Sequence, residues 1–301
     1  MSDRIVLFHA NCWDGFAGAW LFHRDFPDAE FVPVQYGQEP PDVTGKDVVI
    51  VDFSYRREVL LAMKAVAKSM IVLDHHKTAQ QELAGLDFCT FDMNKSGGRL
   101  AWEWLCKQPC SQDEIDAWVA RWGKWQARGL SIKNAPWLVD YTEDRDLWRW
   151  QLPDSREITT GLRSYPLDFA MWDNLDAADE LALKILTAEG KAILRSEAVE
   201  IANHVRRAVT VTIAGHAVPA VNATVLFSDI AGTLAMDAPF GVAWFVRDDG
   251  KVQFSLRSRN GGVDVSEIAK SFGGGGHAAA AGFELPMPKA MNLLFTAENA
   301  V

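Results

Sequence analysis

Three short aliphatic runs constrain this chain more than any other feature. RIVLFH at 4–9, DVVIV at 47–51 with Asp52 behind it, and SMIVLD at 69–74 are rich in Val, Ile and Leu, lack polar alternation, and each ends in a polar group. A strand that offers water neither face must be covered on both, which describes a parallel sheet between layers of helices. Residues 15–25 and 56–68 supply helical patterns between the runs, as strand-helix-strand connections require. Ligands of open parallel sheets sit beyond the carboxyl ends of the strands. His9, Asp52, Asp74, His75 and His76 all fall there.

Residues 98–205 read mostly as helix. At 113–128, Trp118, Trp122 and Trp125 share one face at core spacing, and 174–205 is a long polar-apolar pattern without proline. From 209 the texture changes to strands: VTVTIAG, HAVPAVNA, then GVAWFVRDDGKVQFSLRS with Asp249-Gly250 as a hairpin turn. A short helix from Val265 to Phe272 leads into GGGGHAAAAGFEL. The expected fold is therefore α/β: a doubly wound, mainly parallel domain over 1–187, a linker helix over 188–208, and a smaller α/β domain with a mixed sheet over 209–301.

The 301 residues, 49% hydrophobic and 23% charged, suit soluble globular domains with a substantial core. No eighteen-residue apolar run occurs, and His9 and Asn11 interrupt the N-terminal apolar stretch, so neither a membrane anchor nor a signal peptide is expected. Four cysteines at no paired zinc spacing fit a reducing compartment, and the cytoplasm is the expected address. The net charge of −10 disfavours a general grip on long nucleic acid, whose affinity comes from neutralising many phosphates. A small anionic substrate held by a few local cations stays open, as does a homodimer.

Histidine and aspartate side chains delivered to successive strand ends can hold divalent metals, with a carboxylate shared between two ions. Two such ions would clamp a phosphoryl group and activate a water. In the C-terminal part, glycines 273–276 let backbone approach a ligand closely and turn N–H groups onto an anion. His277 follows them, and Arg257-Ser258-Arg259 closes the preceding hairpin with a guanidinium fork suited to phosphate.

HANCWDGFAGA, VDFS, LDHH and YTEDRDLW in the first part, with LRSRNGGVDVSEIAKSFGGGGHAAAAGF in the second, resemble the DHH family of phosphoesterases with a DHH-associated C-terminal domain. The family includes nanoRNases, cyclic-dinucleotide phosphodiesterases and RecJ-type exonucleases. The resemblance spans nearly the whole chain. It implies two divalent metal ions, usually manganese, with magnesium or cobalt as substitutes, in a cleft between two domains. It further implies His9, Asp14, Asp52 and His75 as metal ligands, with Asp52 bridging. Asp144 aligns as the final ligand, with Asp146 two residues away as the alternative. Asp74 would orient His75, and His76 would face the scissile phosphate. Arg257, Ser258, Gly274, Gly275, Gly276 and His277, together with Arg99 behind Ser96-Gly97-Gly98, would hold substrate.

The first motif departs from the family pattern. Many relatives carry two carboxylates there, separated by one residue, whereas the position two before Asp14 is Cys12. Asn11, Cys12 or water must fill the gap. Asn11 is favoured here as the compensating ligand, because an amide oxygen suits a hard ion. The function expected is metal-dependent hydrolysis of short oligonucleotides or dinucleotides. The alternatives are an exonuclease on longer single strands and a catalytically silent nucleotide-binding regulator.

Overall fold

Alternate residues of the three aliphatic runs go to opposite faces of one sheet. Val6, Phe8, Val49, Val51 and Leu73 join one buried cluster, and Ile5, Leu7, Val48, Ile50, Met70 and Val72 join another. The period of two that sends successive side chains to opposite faces thus fills two cores from the same strands.

The computed structural model describes residues 3–108 and 135–295. The tryptophan helix expected at 113–128 lies outside them. The chain divides into two units, Met1–Ile193 and Leu194–Val301.

In the first unit, β1 (Arg4–His9), β2 (Glu30–Val34), β3 (Asp47–Val51), β4 (Ser69–Asp74) and β5 (Cys89–Phe91) form one sheet in the order β2-β1-β3-β4-β5. Every pairing is parallel. Among the described residues the helices are α1 (Trp13–Asp25), α2 (Arg57–Val66), α3 (Lys77–Glu82), α4 (Gly97–Lys107), α5 (Trp137–Asp146), α6 (Ser155–Leu162), α7 (Phe169–Ala178) and α8 (Glu180–Val205), of which residues 180–193 belong to this unit. Phe16, Trp20 and Phe22 of α1 pack with Leu100 and Trp102 of α4 on one face, and Leu60 and Met63 of α2 lie on the other. Strand order reverses between β1 and β3, whose following helices leave to opposite faces. That switch opens the crevice where doubly wound sheets bind ligands.

Neither β2 nor β5 shows an aliphatic run in the sequence. Both are edge strands, β2 includes Pro33, and β5 has only three residues. The long pattern at 174–205 is two helices, because Asp179 breaks it with a φ of 43°. Helices α6 and α8 cross in backbone contact. A Cβ at Gly190 would collide with the Glu157 carbonyl, and one at Gly161 with the Leu186 carbonyl. No rotamer relieves a clash with main chain. Gly190→Ala is therefore expected to destabilise this unit by about 1–3 kcal/mol. Urea unfolding checks this, and an unmoved midpoint would show that the crossing yields.

In the second unit, β6 (Val209–Ile213), β7 (His216–Asn222), β8 (Gly241–Val246), β9 (Lys251–Arg257), β10 (Gly275–His277) and β11 (Ala280–Pro286) form a sheet ordered β10-β11-β9-β8-β7-β6. Only β7 and β8 run parallel, so the sheet is mixed. The helices α9 (Phe227–Leu234), α10 (Val265–Ser271) and α11 (Met287–Leu294) accompany it. Val265, Ile268, Ala290 and Leu294 cover a core built on Phe240, Phe254 and Phe283. Among the described residues no helix is long and apolar enough to cross a membrane.

Candidate metal centre

The polar residues at the strand ends of the first unit converge. His9 closes β1, Asp52 follows β3, and Asp74 closes β4 with His75 and His76 behind it. Asp14 lies in the first turn of α1 and Asp146 ends α5. Asp14 and Asp52 are each 1% exposed, His75 is 1% exposed and Asp74 is fully buried, so these charges have little water to solvate them. Asp146 is the exposed member at the rim.

The two oxygens of Asp52 face two different sets of donors. Oδ1 lies 3.2 Å from His75 Nε2, which is also 3.5 Å from Asp14 Oδ2 and 3.4 Å from Asp146 Oδ2. Oδ2 accepts the Cys12 thiol at 2.9 Å and lies 3.4 Å from His9 Nδ1. Asp14, His75 and Asp146 can thus place one donor atom each around a common point, as can His9, Cys12 and Asp52. Asp52 reaches this position through a φ of 55°, a left-handed conformation that aspartate tolerates better than most residues. Asp14 is fixed from behind by the amides of Gly97 and Gly98, which donate to its oxygens at 2.5 and 2.9 Å from the positive end of α4. A Cβ at Gly97 would lie 2.7 Å from that of Asp52, so only glycine lets α4 approach this closely.

Burial, with the charges of Asp52 and Asp146, pushes Asp14 up to about 8. Burial alone would lower His75, but its hydrogen bond to Asp52 and the charges of Asp146 and Asp14 raise it to about 10. Burial would raise Asp52 as well, and the hydrogen bonds from His75 and His9 overcome it and hold the group well below the usual carboxylate range. Carboxylates crowded so closely repel one another, and a divalent cation relieves that strain. The oxygen-rich set with one imidazole fits manganese or magnesium.

The motif implies that Asp74 orients His75, but the ring it meets is that of His76. Asp74 Oδ1 meets the ring Nδ1 of His76 at 2.7 Å and accepts the backbone N–H groups of His75 at 2.7 Å and of His76 at 3.3 Å. Ser54, in the VDFS stretch, donates to the other oxygen at 2.5 Å. Burial would depress the His76 imidazolium, yet Asp74 raises it to about 9.

Three further expectations need correction. Asp144 is not brought to the cluster: its carboxylate accepts the amides of Gln151 and Leu152 and the hydroxyl of Ser155, which ties the α5–α6 turn together. Asp146, two residues on, stands in the cluster instead. Asn11 is exposed with a φ of 56° and makes the turn out of β1, while Cys12 donates to Asp52. Arg99 pairs with Glu143 at 3.0 Å and with Asp140, clamping α4 to α5 rather than facing the strand ends. Sequence reasoning also passed over Tyr36. Its exposed ring stands 5.6 Å from His9 and 4.6 Å from Phe53, just past a strand that the pattern hid.

In the second unit, Arg257 and His277 flank Ala280 across adjacent strands. Arg257 also donates to Ser228 at 2.6 Å, and the Ser258 amide joins the turn through the Ala279 carbonyl at 2.9 Å. The glycines have structural reasons of their own. Gly273, with φ 83°, ends α10 through amide bonds from Gly273 to Lys270 and from Gly274 to Ala269. A Cβ at Gly274 would lie 2.6 Å from that of Phe283, and one at Gly276 would lie 2.6 Å from Ala281 Cα. Gly275 pairs with Gly282 in the ladder. Close packing against β11 thus accounts for residues expected to embrace an anion.

Residues 196–301 match the DHHA1 domain family. Over 307 aligned positions the chain is 28% identical to an uncharacterized protein, R106, of Acanthamoeba polyphaga mimivirus. That alignment covers 92% of this chain and 66% of the relative, so the chain spans just under two thirds of that protein's length. RecJ from Thermus thermophilus, solved with Mn2+, superposes with a TM-score of 0.51 at 18% identity, over 96% of this chain and 50% of that one. An exopolyphosphatase-related protein of Bacteroides fragilis gives 0.50 at 15% identity, over 97% and 90%. At such identities the likeness is one of fold, and it covers both units. The second unit thus matches a DHHA1 domain, and the first closes β4 on Asp74 with His75 and His76 behind it, in a fold similar to that of these solved proteins.

Proposed function

We propose that this protein is a metal-dependent phosphodiesterase acting on short oligonucleotides or dinucleotides. The observation that carries the reading is the double face of Asp52, whose Oδ1 looks to His75 and whose Oδ2 looks to His9 and Cys12. One carboxylate shared by two donor sets is what a pair of divalent ions needs. Asp14, Asp52, His75 and Asp146 would hold one ion, and His9, Asp52 and a third group the other. Bound there, the ions would supply charge neutralisation for the phosphoryl group and acidify water at neutral pH.

The chain's own residues do the positioning. Asp14 is immobilised by the α4 amides and Asp52 by its turn, so the anionic lining needs little rearrangement when substrate arrives. His76 is oriented by Asp74 through Nδ1, and its Nε2 is the atom to carry a proton toward a phosphate or leaving-group oxygen. Arg257 and His277 would bind remote parts of the substrate by charge and hydrogen bonding. The net charge of −10 supports a short substrate over a long polyanion.

An end-labelled series from dinucleotide to about twenty nucleotides, longer than the ~4–16 that a single-strand groove spans, tests this with manganese added. Turnover should be fastest on the shortest members. Preference for the longest would make the protein a processive exonuclease, and nucleotide binding without cleavage would make it a regulator.

A further inference from the structure

The two donor sets that meet at Asp52 are chemically unlike. Around His75 the donors are three carboxylates and one imidazole. Around the other oxygen they are the imidazole of His9, the thiol of Cys12 and Asp52 itself, with ligand atoms all within 4.8 Å of one another. Hard ions such as magnesium and manganese prefer oxygen, whereas thiolate sulfur selects softer ones.

We propose that Cys12 is a metal ligand and makes the pair asymmetric: the His9–Cys12–Asp52 position takes zinc, cobalt(II) or iron(II), and the Asp14–His75–Asp146–Asp52 position takes manganese or magnesium. The proposal rests on the phosphodiesterase reading only for its assumption that two ions bind. It departs from a centre lined with carboxylates at both positions, which the resemblance implies for relatives that have two carboxylates in this motif.

Geometry supports the assignment. Cys12 stands at the N-cap of α1 in extended conformation, φ −114° and ψ 128°, and its sulfur reaches inward to Asp52 while Asn11 stays at the surface. A tetrahedral ion with bonds of about 2.0–2.3 Å spaces its ligand atoms roughly 3.3–3.7 Å apart. His9 Nδ1 and Asp52 Oδ2, at 3.4 Å, already meet that spacing. The sulfur, at 2.9 Å from the same oxygen, is held there by its own proton. Metal binding would release that proton to solvent as the metal–sulfur bond forms, and the sulfur would move outward by about half an ångström to tetrahedral spacing. The position two before Asp14, where relatives put a carboxylate, therefore still supplies an anionic donor, of different softness.

The test uses the full-length protein stripped with a chelator and titrated anaerobically with cobalt(II). Wild type should develop a near-ultraviolet sulfur-to-cobalt charge-transfer band that saturates with one of the two ions. Cys12→Ser should lack the band while still binding cobalt at the carboxylate set. In a second arm, zinc added to the dimanganese protein should displace one manganese, counted by electron paramagnetic resonance. Cys12→Asp should lower that zinc preference by about 10-fold or more, the scale on which ligand surroundings alter metal affinity. Two bound cobalt ions without the band, or one spectrum shared by wild type and Cys12→Ser, would overturn the inference and leave the phosphodiesterase reading standing. A wild-type protein that binds no divalent ion would overturn both.

Discussion

Replacing Asp52 with asparagine should abolish manganese-dependent hydrolysis without unfolding the protein. Asparagine keeps the shape and tolerates the left-handed backbone at φ 55°, so the substitution removes little except charge. That charge is the one both donor sets share, through Oδ1 toward His75 and Oδ2 toward His9 and Cys12. Groups that merely orient a ligand typically cost about 10–100-fold in metal affinity or activity when removed. A carboxylate serving two ions should therefore cost more than about 100-fold in kcat/KM. Isothermal titration should show weaker binding at both positions, and circular dichroism an unchanged fold. Activity above a tenth of wild type would remove Asp52 from the bridging position.

Asp146→Asn and Asp144→Asn should fail in different ways, though only one residue separates them. Asp146 sits at the exposed rim with its oxygen 3.4 Å from His75 and is offered here as a ligand. Its asparagine variant should fold normally, need more manganese, and lose at least about tenfold in activity at limiting metal. Asp144 is 4% exposed and accepts two amides and a hydroxyl. An asparagine there must turn an N–H₂ toward donors, leaving buried groups unsatisfied at about 1–3 kcal/mol. That variant should unfold at lower urea while the folded fraction retains its metal affinity. The reverse pattern, stable but metal-deficient Asp144→Asn, would restore the ligand assignment that alignment favoured.

These neighbours show where sequence was legible and where it was not. The buried strands declared themselves because β1, β3 and β4 are covered on both faces, which leaves a run with no polar interruption. Their ends could be read for the same reason, since a parallel sheet gathers the residues that follow its strands. Edge strands have one neighbour and a partly wet surface, so β2 could carry Pro33 and exposed residues and gave no pattern. Tyr36, positioned by β2, was lost with it. The choice between Asp144 and Asp146 depended on helix phase. Residues two apart on a helix point about 200° from each other, and the end of α5 decides which one faces His75. Asn11 and Cys12 turned on the same kind of detail: the left-handed residue takes the turn, and the extended one after it points inward. The glycine run was legible as a place of close approach, but the approaching group is main chain of the same unit.

The left-handed turn at Asp52 also limits how this protein can change. Of the residues that accept such a backbone cheaply, glycine has no side chain to bind with, and asparagine lacks the negative charge. Glutamate, the ordinary route by which one carboxylate drifts into another, would add both a methylene in a fully packed space and a conformation it dislikes. Asp52 thus has no neutral neighbours in sequence space. A lineage that keeps the bridging carboxylate must keep this turn, and one that loses the carboxylate is free to lose the turn. Loss of that backbone conformation, visible without any bound ion, therefore marks a relative that has kept only the fold.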